Sequence, residues 1–358
     1  MTNQKVIFWI SDTDTILKGE KPVYGIGGAN VQLAFWANTF ANKGFKVYAL
    51  TRSFKKNGAI IYGVQYIWHP VIRYIGQFVN YFTMITLLLV INPKLVFTRA
   101  KVGELVFLSF LSKLFNFKLV HMLASDDDVL VNNKIGKTKF QNAIDKIDYI
   151  IAQNQIQKDY YNQSFKKVNI PIIPNIWNEK IGTSNLNKTN YDFIWVANIG
   201  DNKRPLWFVN LAAQLPQYKF ALVGSPFNQS LFNECKAKAA LLTNLDILGY
   251  KSLFEVNELV ACSKVLVCTS IIEGFPNTFL QALSVNVPLL STVDPSDIIK
   301  NYQIGSTVTS EEELALKALE LMKNKEMYDN CKANIISYFS NTHSPEVNYQ
   351  IIKPYIGI

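Results

Sequence analysis

Short apolar runs alternate with helical stretches along most of the chain. Val6-Ile7-Phe8-Trp9-Ile10 reads as a buried strand, followed by a long polar loop to Gly28. Helical spacing of apolar residues from Asn30 to Lys43 predicts a helix that Gly44 stops. Lys46–Leu50, Leu95–Thr98, Lys118–Ala124 and Tyr149–Ala152 read as further strands. The rhythm breaks at Ile170-Pro171-Ile172-Ile173-Pro174-Asn175, where two prolines predict a stiff extended connector. It restarts with strands at Phe193–Val196, Phe220–Gly224, Asp246–Gly249, Val265–Cys268 and Pro288–Ser291. Strand and helix in repetition predict an α/β protein of two doubly wound parallel-sheet, Rossmann-like domains. We expect these over residues 1–172 and 173–340, with a segment 341–358 packing back towards the first. In such sheets ligands bind beyond the C-terminal ends of the strands, so a cleft between the two domains is expected to hold them.

Composition narrows the classes. The chain has 358 residues, 49% hydrophobic and 18% charged, which suits two packed cores and excludes a disordered chain. The formal net charge of +9 could face nucleic acid, anionic lipid or a phosphorylated ligand. No zinc-finger spacing or RNA-binding signature accompanies it, so nucleic acid is not an expected partner. Cys235, Cys262, Cys268 and Cys331 form no CxxC pair and read as free thiols of a cytoplasmic protein. The apolar part of the N-terminus is too short for a signal peptide. Tyr81–Ile91, stopped by Asn92-Pro93, falls short of the roughly 20 residues a spanning helix needs. With Val102–Phe117 it reads either as buried helices or as a surface against the inner face of an anionic membrane.

The most informative stretch runs from Ser270 to Leu283, after a buried strand and into a helix starting at Pro276 or Asn277. The loop between them, with Glu273 and Gly274, would turn helix amides towards a diphosphate. Glu273 to Gln281 resembles the E-x7-E donor motif of glycosyltransferase family 4, retaining enzymes of GT-B fold. Val287-Pro288 stands in place of that motif's usual Gly-Val-Pro. Other landmarks follow in the family's order. Gly27-Gly28-Ala29 resembles its N-terminal glycine loop, Gly44-Phe45-Lys46-Val47 its "GHEV" turn and Ile173-Pro174-Asn175 its "IPN". Trp195–Lys203, Phe220–Gly224 and Asn244–Tyr250 resemble the opening strands of its nucleotide domain.

The resemblance implies transfer of a sugar from a nucleotide-diphosphate donor, with no cofactor and no metal. The acceptor would be a glycan or lipid-linked glycan, and the setting a bacterial surface polysaccharide such as capsule or O-antigen. It assigns the acceptor to the first domain and the donor to the second. Glu273 would contact the donor sugar, Gly274, Phe275, Pro276, Asn277 and Thr278 would hold sugar and phosphate, and Gln281 the ribose. Lys203 would meet the diphosphate, Gly224, Gly249 and Tyr250 would flank the nucleotide, and Gly27 and Gly28 would let the first domain approach. Three positions depart from the pattern. Gln281 replaces a Glu, and Asn198 replaces an Arg for which Arg204 could compensate. Ser125-Asp126 replaces a His, and His121 reads as a strand residue. Asp126 reads either as the contact for the acceptor hydroxyl or as a helix cap, and the triplet Asp126–Asp128 is not read as a metal motif.

Two other readings compete. The departures at 198 and 281 would also suit a degenerate, non-catalytic binding protein. A nicotinamide-dependent oxidoreductase is disfavoured: Gly25-Ile26-Gly27-Gly28-Ala29-Asn30 lacks the third glycine, and Leu50-Thr51-Arg52 offers no acidic ribose ligand.

Overall fold

The computed structural model describes residues 4–11, 28–51, 54–69, 76–99, 102–123, 137–165, 169–177, 190–273 and 275–358. The chain divides into two compact units, Met1–Ile176 with Ser344–Ile358, and Trp177–His343.

The first unit carries β1 (Lys5–Ser11), α1 (Gly28–Asn42), β2 (Lys46–Thr51), β3 (Ile60–Ile61), β4 (Val64–Trp68) and α2 (Gly76–Ile91). Then come β5 (Leu95–Thr98), α3 (Val102–Leu114), β6 (Lys118–Met122), α4 (Lys137–Lys146), β7 (Tyr149–Ile151) and α5 (Gln155–Phe165). The sheet order is β3-β4-β2-β1-β5-β6-β7. Its strands are parallel except for β3, which pairs antiparallel with β4. The strands are apolar because both faces are covered: Val6, Phe8, Val96 and Phe97 are all fully buried. Phe8 stacks on Phe97 at 4.7 Å, and Phe40 of α1 meets the edge of Phe97 at 5.0 Å. The chain winds from β1 through β2 to one side and returns to place β5 on the other. The switch point of this sheet therefore lies between β1 and β5.

Three local features were not expected from the sequence. The β3–β4 hairpin turns on Tyr62 (φ 49°) and Gly63 (φ 78°), two left-handed residues of the kind a two-residue hairpin needs. Asn38 Nδ2 donates to Tyr62 O at 3.0 Å and ties this turn to α1. The first unit runs to Ile176, past the expected end at residue 172. Backbone bonds link Ala152 to Pro171 and Ile173, and Gln32 Oε1 accepts from Ile176 N at 2.8 Å. Finally, the C-terminal segment is a helix, Pro345–Tyr355, opened by a proline at its first position. It belongs to this unit: Tyr349 meets Phe40 at 5.5 Å, and Lys43 pairs with Glu346 at 2.5 Å.

The second unit carries β8 (Tyr191–Val196), α6 (Pro205–Gln214), β9 (Phe220–Val223), α7 (Gln229–Ala239), β10 (Leu245–Gly249) and α8 (Leu253–Ala261). β11 (Ser263–Cys268), α9 (Asn277–Ser284), β12 (Leu289–Ser291), α10 (Ile298–Tyr302) and β13 (Gly305–Thr307) follow. Two longer helices, α11 (Glu311–Lys323) and α12 (Lys325–Thr342), close it. Its parallel sheet has the order β10-β9-β8-β11-β12-β13, so the switch point falls between β8 and β11. Phe193 stacks on Phe220 at 4.9 Å in a core that includes Trp195, Phe208, Leu222 and Val265.

Candidate functional site

Two loops leave the sheet of the second unit at its switch point. One follows β8 and forms a single 3₁₀ turn, Asp201–Lys203, before α6. The other follows β11 and leads from Thr269 into α9. They are stitched together by main-chain and side-chain bonds. Ile271 N donates to Asn202 O at 2.8 Å, and Asn202 Nδ2 donates to Ile272 O at 3.3 Å. The Trp195 indole donates to Thr269 Oγ1 at 2.9 Å. That hydroxyl in turn lies 2.6 Å from Lys203 O and 3.0 Å from Arg204 O. A buried tryptophan on β8 thus sets the height of the backbone that presents Lys203.

Lys203 and Glu273 face each other across this junction and form an ion pair. Ser270 Oγ donates to the same carboxylate oxygen, Glu273 Oε1, at 2.8 Å. Both side chains are partly shielded, with 26% of Lys203 and 19% of Glu273 exposed, so an incoming ligand can reach them. Next to them α9 begins. Its N-cap is Pro276, which has no side-chain acceptor to offer the first-turn amides. An ammonium, a helix N-terminus and a carboxylate therefore converge on one end of the sheet. The first two suit phosphate oxygens, and the third suits hydroxyl donors.

The remaining expected residues fall into distinct places. Phe275 is half-buried, its ring 6.3 Å from Phe279 and 5.1 Å from His343. Asn277 and Thr278 form the half-buried first turn of α9. Asn198 is exposed at the end of β8. Tyr250 is 39% exposed, and partial burial pushes its phenol pKa up. It follows Gly249, whose φ of 66° is left-handed. Gly28 is exposed at the start of α1 in the other unit. Gly27, Asp126 and Gly274 lie outside the described residues.

Arg204 has a structural part in this unit. Its Nε donates to Thr269 O at 2.7 Å and its guanidinium also reaches Ser270 O at 3.1 Å. The same group lies 3.9 Å over the Trp207 ring. Arg204 therefore clamps the second loop to the first. Gln281 is buried, and its Nε2 donates to Asn257 Oδ1 at 2.7 Å. One donor of that amide is thus spent inside the unit. Gly224 needs to be glycine for packing, since a Cβ there would sit 1.8 Å from Ala197 O. Trp195, Thr269, Ser270 and His343, which complete the scaffold, were not singled out from the sequence. Their partners are set by the sheet order and carry no local motif.

Comparison with known proteins agrees with this geometry. Residues 178–337, just under half of the chain, match the family described as Glycosyl transferases group 1. A Campylobacter jejuni protein is 30% identical over 201 residues, 52% of this chain and 54% of the relative. It is named GalNAc-alpha-(1->4)-GalNAc-alpha-(1->3)-diNAcBac-PP-undecaprenol alpha-1,4-N-acetyl-D-galactosaminyltransferase. The chain thus spans about half the length of that curated relative. Anabaena Alr3699/HepE, solved in complex with UDP, superposes with a TM-score of 0.75 at 15% identity, covering 99% of this chain and 100% of that one. WaaG, a glycosyltransferase involved in lipopolysaccharide biosynthesis, gives 0.65 at 15% identity, covering 97% and 99%. The fold is that of the GT-B glycosyltransferases, two Rossmann-like parallel-sheet domains in one chain.

Proposed function

We propose that this protein is a glycosyltransferase that moves a sugar from a nucleotide-diphosphate donor to a hydroxyl of a glycan or lipid-linked glycan. The observation that carries this reading is the Lys203–Glu273 pair at the switch point beside the start of α9. In the proposed reaction the bond between the anomeric carbon and the phosphate oxygen breaks, and the nucleoside diphosphate leaves with the electron pair. The acceptor oxygen forms the new bond to that carbon, and its proton passes to the leaving phosphate. Negative charge grows on the phosphate as this happens. In this reading Lys203 and the helix N-terminus would stabilise it, and no metal is assigned a role. Glu273 would hold sugar hydroxyls and orient the ring. Retention of configuration accompanies the E-x7-E resemblance, and a role in surface polysaccharide synthesis accords with the undecaprenol-linked substrate named for the Campylobacter relative.

The test is a panel of UDP-, GDP- and ADP-sugars, read by thermal shift and by release of nucleoside diphosphate with a chelator present. One nucleotide class should raise the melting temperature and be turned over. Stabilisation without any turnover would favour the degenerate reading. Stabilisation by a nicotinamide dinucleotide alone would overturn the proposal.

We further propose a peripheral seat on an anionic membrane. Phe82, Leu89 and Val90 expose one apolar face of α2, and Phe110 and Leu114 are exposed on α3. Lys113 and Lys118 lie close by around Asp148, within a chain of net charge +9. Among the described residues no helix is long and apolar enough to cross a membrane. Phosphatidylglycerol vesicles should sediment the protein at low salt and release it at high salt. Equal sedimentation with neutral vesicles, or none at low salt, would contradict this seat.

A further inference from the structure

The first unit repeats, at its own switch point, the construction that builds the donor site in the second. In the second unit a tryptophan on the first strand (Trp195 of β8) donates its indole N–H to the segment leaving the strand across the switch point. In the first unit Trp9 of β1 does the same: its Nε1 donates to Glu104 Oε1 at 2.5 Å, and Glu104 lies in the first turn of α3, just after β5. Trp9 pairs in register with Thr98, the last residue of β5, so the contact stands at the C-terminal edge of the sheet. The indole is fixed in place. It is 5% exposed, and His69 meets it in an edge contact at 5.9 Å. His69 is itself buried and held by Thr83 Oγ1 on α2 at 3.1 Å from its Nδ1. His69 and Thr83 thus brace the indole, the indole holds one oxygen of the Glu104 carboxylate, and Glu104 is exposed, so a ligand can reach it.

We propose that Glu104 is an acceptor-binding residue: with one oxygen held by Trp9, the carboxylate accepts a hydrogen bond from a hydroxyl of the incoming glycan. This rests on the transferase reading above. A carboxylate selects hydroxyl donors and repels phosphates, which separates the chemistry of this site from that of Lys203 in the other unit. The setting also costs the fold something. Although part of the residue is exposed, burial around the carboxyl pushes the Glu104 pKa above the ordinary carboxylate value, against the lowering effect of the Trp9 bond. A group whose folded-state pKa is raised destabilises the fold at pH values where it is ionised, so at neutral pH its charge brings no stability.

The experiment compares wild type with Glu104→Gln, which keeps an acceptor for the Trp9 indole. Octyl glycosides ending in N-acetylgalactosamine, N-acetylglucosamine, galactose and glucose serve as acceptors, with the best donor of the nucleotide-sugar panel. The variant should lose roughly 10- to 100-fold in kcat/KM for the acceptor, mainly through KM, the range for removing a charged hydrogen-bond partner. Its donor-dependent thermal shift and its hydrolysis of the donor by water should stay within about twofold of wild type, and its melting temperature should be equal or higher. An unchanged acceptor KM, or a parallel loss of donor hydrolysis, would overturn the proposal. A wild type that binds no donor at all would strike the transferase reading instead.

Discussion

Lys203→Ala is expected to lower sugar transfer roughly 10²- to 10³-fold, the usual cost of removing one group that stabilises charge in a transition state. The melting temperature should move little, because a partly exposed ion pair contributes only about 0–1 kcal/mol to stability. The carboxylate left behind keeps its bond from Ser270 Oγ, so the loop after β11 is not freed. Glu273→Gln should give a loss of similar size. The two changes should not multiply when combined, since both residues serve one bound donor. Steady-state kinetics on the two single variants and the double variant check this. A Lys203→Ala enzyme with wild-type kcat would remove the lysine from the chemistry.

Gly224→Ala should produce a large loss of stability in the second unit for so conservative a change. The added methyl would lie 1.8 Å from Ala197 O and 2.9 Å from Ala197 C, both backbone atoms that cannot rotate away. Either β9 or the segment after β8 must shift. Overpacking of this kind costs about 1–3 kcal/mol, sometimes more. For a unit of this size that lowers the melting temperature by roughly 2–12 °C. Gly249→Ala provides the contrast: nothing lies within 4 Å of its Cβ position, and only the left-handed φ of 66° opposes the change. Its cost should be about 1 kcal/mol. Thermal unfolding of both variants decides the matter, and equal losses would mean that backbone conformation, not the Ala197 contact, explains Gly224.

The sequence revealed what depends on local pattern. Val6–Ile10 and Phe193–Val196 could be recognised as strands because both faces of a parallel sheet are covered, which makes their residues uniformly apolar. Glu273 could be picked out because a buried strand, a short loop and a proline-headed helix follow one another within one stretch of chain. What depends on sheet order was not legible. No local motif shows that Arg204, with a left-handed backbone (φ 46°), bonds to Thr269 and Ser270 more than sixty residues on and clamps the two loops. Gln281 was read as a ribose ligand, while its buried partner Asn257 sits on the neighbouring α8. Glu104 carries no motif at all. Its importance comes from Trp9, which reaches it only because β1 and β5 are neighbours. The short β3–β4 hairpin escaped notice because its strands are brief and its turn, Tyr62-Gly63, is not one of the usual Asn-Gly or Asp-Gly signals.

The central claim is that the junction between β8 and β11 binds the donor. A crystal structure with the nucleotide sugar that stabilises the protein most would test it directly. The diphosphate is expected against Lys203 Nζ and the first turn of α9, with the sugar hydroxyls on the Glu273 carboxylate and the Lys203–Glu273 pair opened to admit them. A donor bound elsewhere, with that pair still closed, would contradict it.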